Sequence, residues 1–253
     1  MATKAIDPQS IRNVTLIGDP ADTTRLLHRL HGSAHPGPEL RWSADRADHT
    51  IRLSEVSSDA PIPILQRAIR VADSVIAVVN AAETNAPRLE TILQIADDHQ
   101  VARLCLVTSL DDPTANFPRC LRTIADTRGA IPLTLQLPLG TGTAFEGVID
   151  LLPLWALEPL AAEIYGPHWK SAEHGYHALI RTLTEDTTDP TPTEPTLDQL
   201  HHRIRFLTRL GDVVPILCSA APRSNDTAPL LDAIVRYLPS PLDVCQPEHA
   251  LDY

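Results

Sequence analysis

Gly18, Thr23 and Thr24, with Asp22 beside them, are the residues whose types and spacing come nearest to a phosphate grip. A phosphate-binding loop of the form GxxxxGK[ST] wraps backbone N–H groups around the anion. It sends a lysine to the outer oxygens and holds Mg²⁺ with Ser or Thr. The stretch Ile11 to Leu30, IRNVTLIGDPADTTRLLHRL, offers the surroundings for such a loop. Val14 to Ile17 is a short apolar run, Gly18 to Asp22 is a turn-forming cluster, and Thr23 to Leu30 carries Leu26, Leu27 and Leu30 at helical spacing. The glycine and the threonines fit the loop, whereas the Gly-Lys pair has no counterpart. A turn followed by a helix N-cap accounts for the same residues without any ligand.

The missing lysine is a matter of composition as well as position. The chain has two lysines, Lys4 and Lys170, against nineteen arginines, and neither lysine falls at this turn. Arg25 stands one step past the threonines, and a planar guanidinium does not replace a compact ammonium in a loop that closes tightly on phosphate.

The elements that must position these residues follow from the apolar pattern. A chain of 253 residues, 43% hydrophobic and 21% charged, is expected to be a soluble globular protein with a substantial core. No apolar run reaches the length of a membrane span, and the polar start MATKAIDPQS lacks a signal-peptide core, so no membrane association and a cytoplasmic location are expected. Gly32 to Asp48 reads as a loop, Ile51 to Val56 as an edge or half-buried strand, and Ile64 to Val71 as a helix. Ser74 to Val79 and Ala102 to Val107 are apolar runs of the kind covered on both faces, and Pro87 to His99 between them is an amphipathic helix. Phe117 to Arg128 reads as a helix, Leu133 to Leu137 as a strand, Phe145 to Leu152 as a short strand or turn, and Ala161 to Leu183 as partly helical. Asp186 to Thr196, DTTDPTPTEPT, has no apolar residue and reads as a flexible loop. Leu197 to Leu210 is a helix, Val213 to Cys218 a last buried strand, and Pro229 to Leu238 a terminal helix. Strands alternating with helices imply an α/β fold, a doubly wound, mostly parallel sheet flanked by helices.

Taken together these stretches resemble the guanine-nucleotide-binding domain of bacterial elongation factor G and its translational GTPase relatives. IRNVTLIG is similar to the family's opening strand, and HTIRLSEV at His49 to Val56 to the strand leading to its second switch. IRVADSVIAVVNAAE at Ile69 to Glu83 and VARLCLVTSLDD at Val101 to Asp112 are similar to the next two strand regions. FEGVIDL, within Pro132 to Leu152, and YLPSPLDV, within Val213 to Val244, are the most specific strings. The resemblance implies a P-loop-GTPase-like G domain over 1–253, with its core sheet in 1–152 and 213–253 and a small inserted subdomain at 153–212 that carries the loop 186–196.

At the positions that the resemblance would make functional, this sequence departs from the family. The phosphate loop is short and lacks Gly-Lys, and Arg25 to Asp48 is too brief for a first switch. The family's DTPGH reads Glu55, Val56, Ser57, Ser58, Asp59, so that Glu55, Ser58 and Asp59 occupy the former second-switch positions. An acid where a histidine would orient water repels phosphate. The NKxD motif reads Thr108, Ser109, Leu110, Asp111, and the final Ser-Ala pair reads Ala220, Ala221. Gly18, Asp22, Thr23, Thr24, Asp111, Ala220 and Ala221 are therefore vestigial nucleotide-binding candidates, and no catalytic residue is assigned. One well-placed cation is worth about three to five decades in phosphoryl-transfer rate, so losing lysine, switch and water-orienting group together predicts lost hydrolysis.

Other groupings have plainer readings. His28, His31 and His35, and His168, His174 and His177, lack a ligand framework and read, with His201 and His202, as solvated surface residues, so no metal site is expected. Gly140 to Thr143 reads as a loop, Trp155 and Trp169 as core anchors or, if exposed, as part of a protein-binding face, and Cys105, Cys120, Cys218 and Cys245 as reduced thiols. A formal charge of −11 argues against DNA and against RNA as a broad surface. The expected function is a pseudo-GTPase domain without cofactor, a protein-binding or regulatory module whose partner the resemblance places among ribosomal or translation-related proteins. Two alternatives stand beside it. One is a divergent domain that still binds GTP or GDP with Mg²⁺, and the other a reassigned small-ligand protein or enzyme using the old crevice.

Overall fold

The computed structural model describes residues 7–31, 39–83, 88–154, 163, 165–184, 195–219 and 226–244. Among the described residues nine strands come in the order β1 (Ile11–Gly18), β2 (Glu39–Ala44), β3 (Ala47–Ser57), β4 (Ser74–Asn80), β5 (Ala102–Thr108), β6 (Pro132–Thr134), β7 (Gln136–Leu139), β8 (Gly147–Asp150) and β9 (Val214–Cys218). Between and after them lie α1 (Pro20–His31), α2 (Ile62–Arg70), α3 (Leu89–Asp98), α4 (Phe117–Ala125), α5 (Leu151–Leu154), α6 (Trp169–Thr184), α7 (Leu197–Leu210) and α8 (Ala228–Tyr237).

Seven strands form one sheet in the order β2-β3-β1-β4-β5-β9-β6, and β7 and β8 form a separate antiparallel pair. Every pairing in the large sheet is parallel except that of β2 with β3. Alternate residues of the central strands feed two cores. Leu16, Ile76, Val78 and Leu104 pack beneath α1, α6, α7 and α8, while Ile17, Val75, Ala77 and Cys105 pack beneath α2, α3 and α4. Helices on both faces make the sheet doubly wound, which is why β4 and β5 are apolar on successive residues and not on alternate ones. The segment 153–212 contributes α6 and α7 to the first of these cores through Ala172, Leu179, Leu183, Leu200, Ile204 and Leu207. Among the described residues no helix is long and apolar enough to cross a membrane.

Three boundaries differ from the sequence reading. Glu39 to Ala44 and Ala47 to Asp48, taken as loop, form β2 and the start of β3. Leu40, Trp42 and Ala44 supply a period-two apolar face, and Trp42 Nε1 donates to Asp232 on α8 at 2.8 Å. β3 is half-buried as expected, but it lies inside the sheet, between β2 and β1. The strand expected over Leu133 to Leu137 breaks at Leu135, whose N–H still reaches Ile216 at 3.0 Å before the chain leaves the sheet. Gln136 takes over with its side chain, its Oε1 accepting from Cys218 N at 3.0 Å.

Cys105, Cys120 and Cys218 are buried free thiols, and burial pushes Cys105 up to about 12. Trp169 packs partly buried against the first core, while Trp155, Cys245 and residues 186–194 of the expected loop lie outside the described residues.

Candidate functional site

β1 runs through Gly18 and α1 begins at Pro20, so Asp19 alone joins strand to helix. The turn expected over Gly18 to Asp22 is thus corrected, since Pro20 to Asp22 are already helical, while Thr23 and Thr24 lie in the helix as expected. Asp19 accepts from Ala21 N at 2.8 Å and Pro20 takes the first helical position, a cap-plus-proline start whose signal is present in the sequence. The Thr23 N–H closes the first turn on Asp19 O at 2.9 Å.

Each candidate at this turn has a structural partner or faces away. A Cβ on Gly18 would meet Val78 Cβ at 2.8 Å and Val78 O at 2.9 Å, and Gly18 O accepts from Ser58 N at 2.8 Å. The glycine is required by this close approach of β1 to β4. Thr23 is buried, and its hydroxyl donates back to Asp19 O at 3.1 Å and Pro20 O at 3.3 Å. Asp22, only 6% exposed, accepts from Asn80 Nδ2 at 2.9 Å and from the Arg25 guanidinium at 3.2 Å. Thr24 is exposed.

Beside this turn, where β1 and β4 end, is a hollow of about 240 Å³ lined by Gly18, Asp19, Asp22, Ser58, Asp59, Asn80, Glu83 and Arg88, among others. Four carboxylates therefore share one small space. Partial burial, and then the charges of Asp19, Asp22 and Asp59, push Glu83 above the ordinary carboxylate range. Arg88 brings the positive charge among these lining residues, with its guanidinium held by Ala60 O. Like charges that already penalise a resident carboxylate penalise an entering anion in the same way. Glu55 is an exposed β3 residue and does not line the hollow.

A neighbouring crevice of about 590 Å³ shares Asp22 with the hollow and carries Arg25, Arg29, Ser109, Asp111, Phe145 and Ser219. Asp111 is exposed in the turn after β5, where Ser109 adopts a left-handed φ of 55°. The next residue, Asp112, is held below the ordinary carboxylate range by the hydroxyl and N–H of Thr114, at 2.6 and 2.8 Å. Arg29 reaches across from α1 to Ser219 Oγ at 3.2 Å.

The structure thus brings Gly18, Asp22, Ser58 and Asp59 together, sets Asp111 in the adjoining crevice, and leaves Thr24 and Glu55 apart. Ala220 and Ala221 lie outside the described residues. Asn80, Glu83 and Arg88 line the hollow without having been singled out from sequence, although a polar Asn ending the apolar run SVIAVVN is a visible sign. The histidine reading needs one correction, because His201 is half-buried with Nδ1 2.8 Å from Tyr237 Oη. Among the described residues no group of three or more His, Cys, Asp or Glu is arranged to hold a metal ion.

The family model described as the elongation factor Tu GTP binding domain matches residues 64–240 of this chain, a stretch that begins past Asp59. A crystal structure of a protein from Thermus thermophilus is similar with a TM-score of 0.69 at 19% identity, over 93% of this chain and 41% of that one. At this identity the likeness is one of fold, and the chain spans less than half the length of that neighbour.

Proposed function

This chain belongs to the elongation factor Tu GTP binding domain family, as a translational-GTPase-like G domain, and from that premise we propose that it is a pseudo-GTPase. In this reading it neither hydrolyses GTP nor binds it tightly, and it serves as a protein-binding or regulatory module in translation. The observation that carries the reading is the one-residue turn at Asp19, with Asp22 and Thr23 spent on internal bonds beside a hollow of four carboxylates.

A triphosphate with Mg²⁺ does not fit these residues. Its anionic oxygens would face Asp19, Asp22, Asp59 and Glu83 with no lysine to meet them and with Arg88 held on Ala60 O, and the Thr23 hydroxyl that would reach the metal is turned back onto the helix start. The partner is a protein by the same reasoning, since the scaffold is kept and the ligand grip is not.

Isothermal titration of the chain with GTP and GDP in the presence of Mg²⁺, paired with a phosphate-release assay, tests the reading. The expected outcome is no binding in the micromolar range and no release above buffer, and micromolar affinity for either nucleotide would sink it. A second reading, residual guanine-nucleotide binding, has one observation behind it: the crevice where Arg25 and Arg29 share a wall with Asp111. The same titration separates the two.

A further inference from the structure

At the amino-terminal ends of the parallel strands, opposite the crevice, two guanidiniums share one carboxylate and a third, that of Arg12, is buried nearby. Asp243 accepts from Arg205 Nη2 at 3.2 Å, from Arg209 Nη1 at 3.2 Å, and from the Ser240 N–H and hydroxyl at 3.0 and 2.9 Å. Arg12, at the start of β1, is buried with its guanidinium on Val235 O at 2.9 Å and Gln9 O at 2.7 Å. Burial and then the charge of Arg205 bring Arg12 down to about 10, with Asp243 opposing. Arg236, close by, is matched by Asp45 and Asp232. Over the two openings of this face Arg12, Arg70, Arg205, Arg209 and Arg236 stand against Asp45, Asp73, Asp198 and Asp243, so that in a chain of formal charge −11 the face keeps a small positive surplus.

Apolar surface adjoins this surplus. Phe206 and Leu210 on α7 and Val71 at the end of α2 are exposed, and together they border a hollow of about 390 Å³. Leu242, beside Asp243, is 64% exposed. Phe206 and Arg209 also border a second opening, of about 630 Å³, that reaches Arg12 and Arg205. Exposed side chains this large, set together beside unbalanced charge, mark a contact surface more often than a solvated one.

We propose that this face docks an acidic polypeptide segment, with an apolar anchor entering between Val71, Phe206 and Leu210 and a carboxylate pairing with Arg205 and Arg209. The proposal deepens the protein-binding reading and rests on it, naming the face and the chemistry of the partner. A polypeptide is favoured over RNA because the exposed apolar groups are mainly aliphatic. The aromatic among them, Phe206, already carries the Arg203 guanidinium 5.8 Å from its ring centroid, where a base would stack. Two arginines sharing one carboxylate can accept a second carboxylate bidentately without leaving a buried charge unpaired.

Panning a phage library of short helical peptides on the intact chain, followed by fluorescence anisotropy of the enriched sequences, tests this. The expected consensus places Asp or Glu around one large apolar residue. Affinity should fall about tenfold or more in the Arg205→Glu, Arg209→Glu double variant and in Leu210→Ser, and should weaken with salt. Ile64→Ser, exposed at the opposite end of α2, should change nothing, and thermal unfolding of each variant identifies any that fail to fold. No enrichment, a consensus without acids, or binding indifferent to these variants would overturn the proposal. Oligouridylate bound by the same arginines would overturn it in favour of RNA. Nucleotide titration and peptide selection fail independently, so a chain that binds GTP yet selects acidic peptides keeps this face and loses only the pseudo-GTPase reading.

Discussion

The carboxylate of Asp22 and the amide of Asn80 meet at 2.9 Å across the gap between α1 and the end of β4. Both lie at the mouth of the hollow, so the contact that fastens helix to sheet also places a negative charge there. Asp22→Ala strands the Asn80 amide and is expected to cost about 1–3 kcal/mol of stability, read by urea unfolding. Asn80→Ala should cost a similar amount, and the double variant less than the sum of the two. Additive losses would show that the two groups do not act as a pair.

Gly18→Ala should destabilise by about 1–3 kcal/mol, because the added methyl meets Val78 at both its Cβ and its backbone carbonyl, and the carbonyl is fixed in the sheet. Thermal unfolding is the measure. A variant as stable as the parent would mean that β1 and β4 part easily at this end.

Arg103 is wholly buried within β5 and donates to Asp97 Oδ1 at 2.8 Å, to Gly211 O at 3.2 Å and to Gly129 O. Removing one partner of a fully buried ion pair costs about 3–5 kcal/mol, but Asp97 is about a third exposed and recovers solvent, so Arg103→Ala should cost roughly 2–3 kcal/mol. Arg103→Met, which keeps the volume, should lose less. Equal losses in chemical denaturation would show that the bonds to Asp97, Gly129 and Gly211, not packing, hold this corner.

Stability should decline as pH falls below about 6.5, the ordinary histidine value. Burial, and then the charge of Arg236, hold His201 below that value, and burial followed by Arg12 does the same for His49. In this window the unfolded chain takes up protons that the folded chain refuses, so the stability present above it is progressively lost. Denaturant midpoints measured across the window should flatten in His201→Gln. An unchanged slope would assign the effect to other groups.

The parallel core was legible because burial on both faces leaves continuous apolar runs, and Ser74 to Val79 and Ala102 to Val107 need no distant information to be recognised. Leu197 to Leu210 was equally plain, bounded by a Thr196 capping box and a left-handed Gly211. β2 was hidden because its alternation is short and sits among Gly, Pro and charged residues. The break at Leu135 was hidden because Gln136 replaces a backbone bond with a side-chain one, and no periodicity records that. At the candidate site the residue types were readable, but their employment was not. Gly18 answers to Val78 and Asp22 to Asn80, partners that come together only when the strands are aligned.

The departure of the chain at Leu135 leaves β6, among the described residues, as a three-residue margin at one side of the large sheet, and its first residue, Pro132, has no N–H to give. Another copy of the molecule seeking to add a strand there would find too few free bonding groups to hold its register. The margin is thereby protected against runaway self-association without any charged residue in β6.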